Sequence, residues 1–123
     1  MDIKLAIVGG RTFNNYDILN KYIAQVCQEN DFTIIEIISG GARGADKLGE
    51  RYAKDNNIPT RIFPAEWDKY GKSAGFRRNK DIIDACDVCI AFWDGESRGT
   101  KHDIDLCRNS DTLCFVKRYV VTE

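Results

Sequence analysis

The chain has 123 residues, of which 43% are hydrophobic and 30% charged, and its formal net charge is −1. This length fits one domain over residues 1–123 with a core that needs no disulfide or metal. The balanced charge argues against broad binding to a nucleic-acid backbone, which needs a basic face. No apolar run approaches the ~20 residues that cross a bilayer, and no signal-peptide pattern is present. The five cysteines favour reduced thiols, so we expect a cytoplasmic protein.

Short β-branched runs alternate with helical patterns along the chain. The predicted strands cover residues 3–8, 33–38, 58–63, 87–92 and 112–117. Asn14 or Asn15 is expected to cap the first helix, and further helices are predicted over 46–55, 73–85 and 100–108. Segment 64–79 is irregular until that third helix begins. The pattern predicts an α/β fold, a single three-layer Rossmann-like domain with a mainly parallel five-stranded sheet.

The loops that follow the predicted strands differ in composition from the loops at the opposite edge of the sheet. Nine of the ten glycines, together with several arginines and both tryptophans, lie in four segments: Gly9–Phe13, Ser39–Asp46, Pro64–Asn79 and Trp93–Thr100. Ligands of such sheets bind outside the carboxyl ends of the strands. Folding alone does not require this asymmetry, so we predict a ligand site at the carboxyl edge.

The central motif is Ser39–Asp46, which joins a buried strand to a helix. Its three glycines permit positive φ and close approach of a ligand, and the helix amino terminus favours an anion. Arg43 adds a planar cation suited to phosphate. The motif is typical of a phosphate-binding loop, and the alternative is a tight turn without a ligand.

Two further loops offer backbone amides to a phosphate, Gly9–Arg11 and Gly99–Thr100. Trp67, Tyr70 and Trp93 could stack on a base, and packing in the core is the alternative for each. These groups together suit a nucleotide or a nucleotide-derived sugar phosphate.

Three acidic residues lie in or beside these loops: Asp46, Asp94 and Asp103. One of them could bond a ribose hydroxyl. Asp46 has a second interpretation, in which it only caps its helix.

Other chemistries are disfavoured. The single histidine, His102, is expected on the surface and leaves no basis for a histidine metal site or a Ser-His-Asp triad. Cys86 and Cys89 form a C-x-x-C pair, but it runs from a helix end into a strand, with Cys89 expected in the core, rather than starting a helix. P-loop and G-x-G-x-x-G motifs are absent. We predict no metal site and no cofactor.

These motifs resemble the SLOG superfamily (Smf/DprA and LOG proteins), a Rossmann-like group, and in particular its small YspA-related branch. The resemblance rests on ordered segments along nearly the whole chain: Gly9–Phe13, Ser39–Asp46, Trp67, Tyr70–Gly75, Arg77–Asn79, Phe92–Gly95 and Ser97–Thr100. It implies a domain that binds nucleotides or NAD-derived signals, often as a homodimer or higher homo-oligomer. The LOG branch cleaves nucleoside monophosphates to free base and ribose 5-phosphate, and the DprA branch binds single-stranded DNA.

The chain departs from the LOG motif Pro-Gly-Gly-x-Gly-Thr-x-x-Glu. The proline and the first two glycines are missing, and Asp103 stands where the glutamate would be. Asp103 is shorter by one methylene group. A hydrolase would use Asp103 and Asp46 as catalytic residues.

Our first hypothesis is a sensor or sequestering protein for a nucleotide-derived ligand, of the NAD, ADP-ribose or cyclic-nucleotide type. The alternatives are a nucleoside 5′-monophosphate phosphoribohydrolase and a binder of single-stranded nucleic acid. We expect a small-molecule partner and no membrane association. The predicted ligand-binding residues are Gly9, Gly10, Arg11, Thr12, Phe13, Ser39, Gly40, Gly41, Arg43, Gly44, Asp46, Trp67, Lys72, Arg77, Asn79, Trp93, Ser97, Arg98, Gly99 and Thr100.

Overall fold

The computed structural model describes residues 1–121, in which strands and helices alternate. The strands are β1 (Asp2–Gly9), β2 (Thr33–Ser39), β3 (Thr60–Ile62), β4 (Val88–Trp93) and β5 (Leu113–Arg118). The helices are α1 (Tyr16–Asn30), α2 (Ala45–Asp55), α3 (Trp67–Tyr70), α4 (Ala74–Ala85) and α5 (Arg98–Arg108), with a 3₁₀ turn at Gly71–Ser73. The last two residues of the predicted domain, 122 and 123, lie outside the described part of the chain.

The described strands form one parallel sheet in the order β3-β2-β1-β4-β5. This confirms the predicted α/β, Rossmann-like fold. From β1 the chain moves to β2 and β3 on one side, and it then continues in β4 and β5 on the other side. The loops after β1 and β4 therefore diverge and leave a crevice at the carboxyl edge of the sheet.

The two central strands, β1 and β4, are buried on both faces. Leu5 and Ile90 belong to a core cluster with residues of α1 and α2. Ala6 and Ala91 belong to a second cluster with residues of α4 and α5. A parallel sheet covered on both faces explains why these strands have continuous apolar sequences rather than alternating ones.

The ends of α1 follow from local sequence. Asn15, rather than Asn14, caps the helix, and its Oδ1 accepts a hydrogen bond of 3.0 Å from the Ile18 amide. Asp31 ends the helix in the left-handed conformation, with φ 57°. Among residues 1–121, no helix has the length and apolarity needed to cross a membrane.

The structure departs from the predicted elements chiefly at β3 and in segment 64–79. The third strand was expected over 58–63, but β3 covers only Thr60–Ile62, and its residues are exposed at the sheet edge. Pro59 has no amide hydrogen to give to the strand ladder, so the regular pairing begins after it. Segment 64–79 also contains α3, a single helical turn that its irregular composition conceals.

Candidate functional site

Two adjoining pockets occupy the carboxyl edge of the sheet. The first, which we call the carboxylate pocket, has a volume of about 320 Å³ and contains Asp46 and Asp103. The second, which we call the cationic pocket, has a volume of about 520 Å³. Arg11 and Ala42 line both, so the pockets are continuous. Their sizes lie within the usual range for small-molecule sites.

Most of the predicted binding residues line these pockets. The carboxylate pocket includes Gly9, Gly10, Arg11, Thr12, Asp46, Asn79, Ser97, Gly99, Thr100 and Asp103. The cationic pocket includes Arg11, Gly40, Gly41, Arg43 and Trp67. These residues come from four separate loops and helix ends, which the parallel topology brings to one edge.

The loop between β2 and α2 is held in shape by two side chains. The Ser39 hydroxyl is fully buried, lies 2.9 Å from Glu50 Oε2 and accepts a hydrogen bond of 3.1 Å from the Gly41 amide. Asp46 reaches back from α2, and its Oδ2 accepts a hydrogen bond of 3.1 Å from the Ala42 amide. Asp46 therefore orders the loop, and Gly44 takes the amino-capping position of α2 without a side-chain bond.

Two glycines of this loop are required by their surroundings. A Cβ on Gly40 would meet the Arg78 guanidinium and would lie 2.9 Å from Asp46 Oδ2. Gly44 has φ +85°, and a Cβ there would meet the Gly10 carbonyl oxygen and lie 2.6 Å from the Arg11 Cα. The loops after β1 and β2 can approach each other this closely only because Gly44 has no side chain.

Arg78 connects α4 to the loop after β2. Its Nη1 donates to the Gly40 carbonyl oxygen at 2.6 Å, and its Nε donates to Asn79 Oδ1 at 3.2 Å. Asn79 in turn donates from Nδ2 to the Gly99 carbonyl oxygen at 3.3 Å and to His102 Nδ1 at 3.2 Å. This chain of bonds joins α4 to the loop after β2 and to the amino-terminal part of α5, beside the pockets.

His102 is half-buried rather than on the open surface, contrary to the sequence expectation. Burial lowers the pKa of its imidazole, and Nδ1 accepts the hydrogen bond from Asn79 Nδ2. The Phe76 ring meets the imidazole edge-on, with 4.6 Å between ring centroids.

Two of the three carboxyl groups that line the carboxylate pocket, those of Asp46 and Asp103, are buried. Asp46 is 7% exposed, and burial raises its pKa to about 6, although the Ala42 amide and the Arg78 charge oppose the rise. Asp103 is 5% exposed, and its pKa is raised by burial and then by the charge of Asp46. Its Oδ1 has no hydrogen-bond partner among residues 1–121. A buried acceptor of this kind is available to a ligand or a water molecule.

Asp94 has a different environment. Its Oδ1 accepts from the Glu96 amide at 2.9 Å and from the Ser97 amide at 2.8 Å, which lowers its pKa. Ser97 then caps α5 and bonds Thr100. Asp94 lines the carboxylate pocket, but this carboxylate oxygen is already used to shape the turn.

Seven predicted binding residues do not line either pocket: Phe13, Ser39, Gly44, Lys72, Arg77, Trp93 and Arg98. Phe13 is 2% exposed and stacks on Phe92 in the core. The Trp93 Nε1 donates to the Ser97 carbonyl oxygen, and Arg118 covers the ring. Lys72 and Arg98 are exposed on a turn and a helix end.

Arg77 also lies away from the pockets. Its guanidinium bonds Ser73 and covers the Tyr70 ring, with 4.4 Å from its central carbon to the ring centroid. This contact also accounts for Tyr70, which was a candidate for base stacking. Ser39 and Gly44 keep structural roles in the loop rather than pocket positions.

Sequence reasoning missed several pocket residues, of which Arg78 is the most consequential. The others are Val8, Ala42, Lys47, Ile62, Pro64, Ala65 and Ile82. Arg78 lies four residues after Ala74 and four before Ile82, which are both buried. That spacing places all three on one helix face, so helical periodicity alone could have selected Arg78 over Arg77.

Fold and site together define a Rossmann-like α/β protein with a crevice at the switch in strand order. Residues 3–70 match the YAcAr family, described as the YspA, cpYpsA-related SLOG family. The chain belongs to this family, as the sequence resemblance indicated. The matched part contains the loops after β1 and β2. Membership supports a nucleotide-related binding role or a phosphoribohydrolase-like role.

A relative is the Gene 61 protein of Mycobacterium phage D29. The two chains are 31% identical over 105 residues, which cover 80% of this chain and 83% of the phage protein. The similarity therefore extends over most of both chains. The name of the phage protein assigns it no ligand or activity.

Proposed function

We propose that this protein binds a nucleotide-derived, phosphate-bearing ligand across the two adjoining pockets. The observation that carries the proposal is their chemical contrast. One pocket holds two buried carboxyl groups, and the other is lined by Arg43, Lys47 and Arg78, with Arg11 at the junction of the two. A ligand with hydroxyl groups at one end and phosphate at the other matches this arrangement.

The cationic pocket suits the phosphate. Within the described residues, Arg11 and Arg43 form no ion pair, and both are exposed. The guanidinium of each can donate two parallel hydrogen bonds to phosphate oxygens. Lys47 adds a third positive charge to this pocket, and its Nζ lies 3.4 Å from Glu50 Oε1 in an ion pair.

The same pocket also offers an apolar wall. Trp67 is 52% exposed and lines it together with Ile62 and Pro64. An exposed tryptophan beside arginines provides a surface on which a base can stack. In this arrangement the ribose would extend towards Asp46 and Asp103, whose oxygens would accept from its hydroxyls.

Calorimetric titration tests this proposal with a panel of AMP, ADP-ribose, NAD and cyclic nucleotides. We expect at least one ligand to bind, and Arg43→Ala to weaken it by about tenfold or more, because a charged hydrogen bond is removed. Arg51→Ala is the matched control, since Arg51 lies on α2 outside both pockets and pairs with Asp55 at 3.7 Å. Equal affinity in wild type and Arg43→Ala would refute the proposed phosphate site.

A second function, hydrolysis of a nucleoside monophosphate to base and ribose 5-phosphate, is favoured by one observation. Asp103 Oδ1 is buried without a hydrogen-bond partner among the described residues and lies in the same pocket as Asp46, and burial raises the pKa of both carboxyl groups. A carboxylate at the sugar can activate water or stabilise positive charge that develops on the ribose during cleavage.

Mass spectrometry of each incubated ligand separates the two functions. Intact ligand after binding would indicate a sensor or sequestering protein. Release of free base that Asp103→Asn abolishes would indicate a hydrolase. The asparagine keeps the size of the side chain but cannot ionise.

We also propose that the protein forms a homodimer or higher homo-oligomer. Trp67 and Phe76 are exposed large apolar side chains, 52% and 51% exposed, on α3 and α4. Size-exclusion chromatography with light scattering measures the assembly directly. A mass of one chain across the concentration range would contradict it.

A further inference from the structure

A cluster of cysteines lies away from the two pockets, near the amino ends of β4 and β5. Cys89 and Cys114 are paired in the parallel register of these strands. Register partners on neighbouring parallel strands project their side chains to the same face of the sheet. That face is covered by α5, which contributes Cys107 to the same core cluster.

The three sulfur atoms are close enough to share one metal ion. The Sγ atoms of Cys89, Cys107 and Cys114 all lie within 4.8 Å of one another. A Zn²⁺–thiolate bond of about 2.3 Å places three sulfurs about 4 Å apart around the ion. Small changes in side-chain torsion would bring the thiols to that separation.

The cluster has an entrance from solvent and room for another ligand. A cavity of about 210 Å³ is lined by Cys107, Cys114, Arg108 and Thr112, among others. Cys89 is fully buried, whereas Cys114 is half-buried, so the group is open on one side. An ion held by the three sulfurs could take a water molecule from this cavity as its fourth ligand, in the usual tetrahedral geometry.

The charges also balance. A divalent cation and three thiolates carry a net charge of −1, and the Arg108 guanidinium lines the same cavity. Binding would release the protons of the thiols to solvent, with no oxidation or reduction. Thiolate sulfur is the ligand type that soft and borderline metal ions prefer.

We propose that Cys89, Cys107 and Cys114 form a binding site for a thiophilic divalent cation of the Zn²⁺ class. The alternative is that the three thiols act only as small apolar groups of the core, as buried cysteines commonly do. The two interpretations differ in one measurable property, the binding of a metal ion.

Titration of the fully reduced protein with Cd²⁺ tests the proposal, because thiolate–Cd²⁺ bonds produce an ultraviolet charge-transfer band. We expect the band to saturate at one ion per chain and Zn²⁺ to displace Cd²⁺. Because an ion that binds only the folded state stabilises it, Zn²⁺ should also raise the melting temperature.

The variants are chosen to spare the core. Cys114→Ser should abolish the band, since Cys114 is the most accessible member of the cluster. Cys27→Ser is the matched control, because half-buried Cys27 lies on α1, which packs on the other face of the sheet. Its band should equal that of wild type. Cys107→Ala is a second variant, and circular dichroism checks that each one is folded.

Three results would overturn the proposal: no saturable band in wild type, an unchanged band in folded Cys114→Ser or Cys107→Ala, or a band that Cys27→Ser removes. The wild-type titration decides the matter alone if both cluster variants fail to fold. Titration of five free thiols before metal addition confirms that the cysteines are reduced.

Discussion

Arg77 and Arg78 are adjacent in sequence but have different roles in the structure. A helix rotates about 100° per residue, so neighbouring side chains leave it in different directions. Arg77 is exposed and covers the Tyr70 ring, whereas Arg78 donates to the Gly40 carbonyl and lines the cationic pocket. The arginine that shapes the site is therefore the one on the same face as buried Ala74 and Ile82.

Arg78→Ala should lower the free energy of unfolding by about 2 kcal/mol, because it removes two hydrogen bonds of a charged group. Arg77→Ala, a fully matched change at an exposed position, should stay within about 0.5 kcal/mol of wild type. Urea denaturation measures both. Equal effects of the two changes would show that Arg78 does not hold the loop.

The buried carboxyl of Asp46 makes stability depend on pH. Its pKa is raised to about 6 in the folded protein, whereas in the unfolded chain it returns to its ordinary value near 3.8. Between these two values the folded state binds more protons than the unfolded state, so stability falls as the pH rises.

Ionisation of Asp46 should lower the free energy of unfolding of the wild type by roughly 3 kcal/mol between about pH 4 and pH 7. Asp46→Asn should not show this decrease, because asparagine does not ionise. The asparagine oxygen can still accept from the Ala42 amide, which preserves the loop. Urea denaturation at the two pH values measures the difference. The same pH dependence in variant and wild type would contradict a raised pKa at Asp46.

Asp94→Asn provides a control of opposite sign. Amide hydrogen bonds from Glu96 and Ser97 lower the pKa of Asp94, so its stabilisation is present above its unfolded pKa and is lost as pH falls. Asp94→Asn should therefore reduce the decrease in stability that occurs as the pH falls. Asp46→Asn should instead reduce the decrease that occurs as the pH rises.

At the scale of elements, the loop between β2 and α2 depends on close packing against the loop after β1. The Gly10 carbonyl oxygen accepts from the Ala45 amide at 3.2 Å and from the Phe13 amide at 3.2 Å. The same carbonyl would be displaced by any side chain at Gly44. This contact joins the two loops that line the pockets.

Gly44→Ala should therefore destabilise the protein by about 1–3 kcal/mol, from backbone strain at positive φ together with the clash, and should abolish ligand binding. Gly99→Ala is the control, since a Cβ there meets nothing within 4 Å. Its stability should be unchanged or up to about 1 kcal/mol higher, because alanine favours a helix. Thermal denaturation tests both, and a tolerated Gly44→Ala would contradict the close packing of the loops.

At the scale of the whole molecule, charge is distributed unevenly around a net charge of −1. Four cations of the site line the cationic pocket, whereas acidic residues are in excess over the rest of the chain, where some of them pair with lysines, as in Lys80–Asp84 and Lys101–Asp105. A local positive pocket on a nearly neutral molecule suits a small anion rather than a long polyanion.

Salt dependence distinguishes these two kinds of ligand. For a mononucleotide, we expect log affinity to fall with log salt at a shallow slope of about one or two released ions. Binding of single-stranded DNA across the molecule would give a steeper slope that grows with strand length. Fluorescence anisotropy at several salt concentrations measures both, and a steep slope would favour the nucleic-acid alternative.

The alternation of elements and the edge of the sheet at which the two pockets lie could be predicted from sequence, because both depend on local patterns. Apolar runs in β1 and β4, the Asn15 cap and the glycine-rich loops are each readable over a few residues. The extent of β3 could not be predicted in this way, because the length of an edge strand depends on its pairing with the neighbouring strand rather than on its composition.

The sequence by itself determined the α/β fold class and indicated the carboxyl edge, where the two pockets lie, because hydrophobic periodicity and turn chemistry act over short distances. Only the tertiary structure decided which side chains meet. Asp46 and Asp103 share a pocket, and Cys89 and Cys114 lie side by side, although each pair is far apart in the chain. Strand order, register and helix rotation bring these groups together, and those are properties of packing between distant segments.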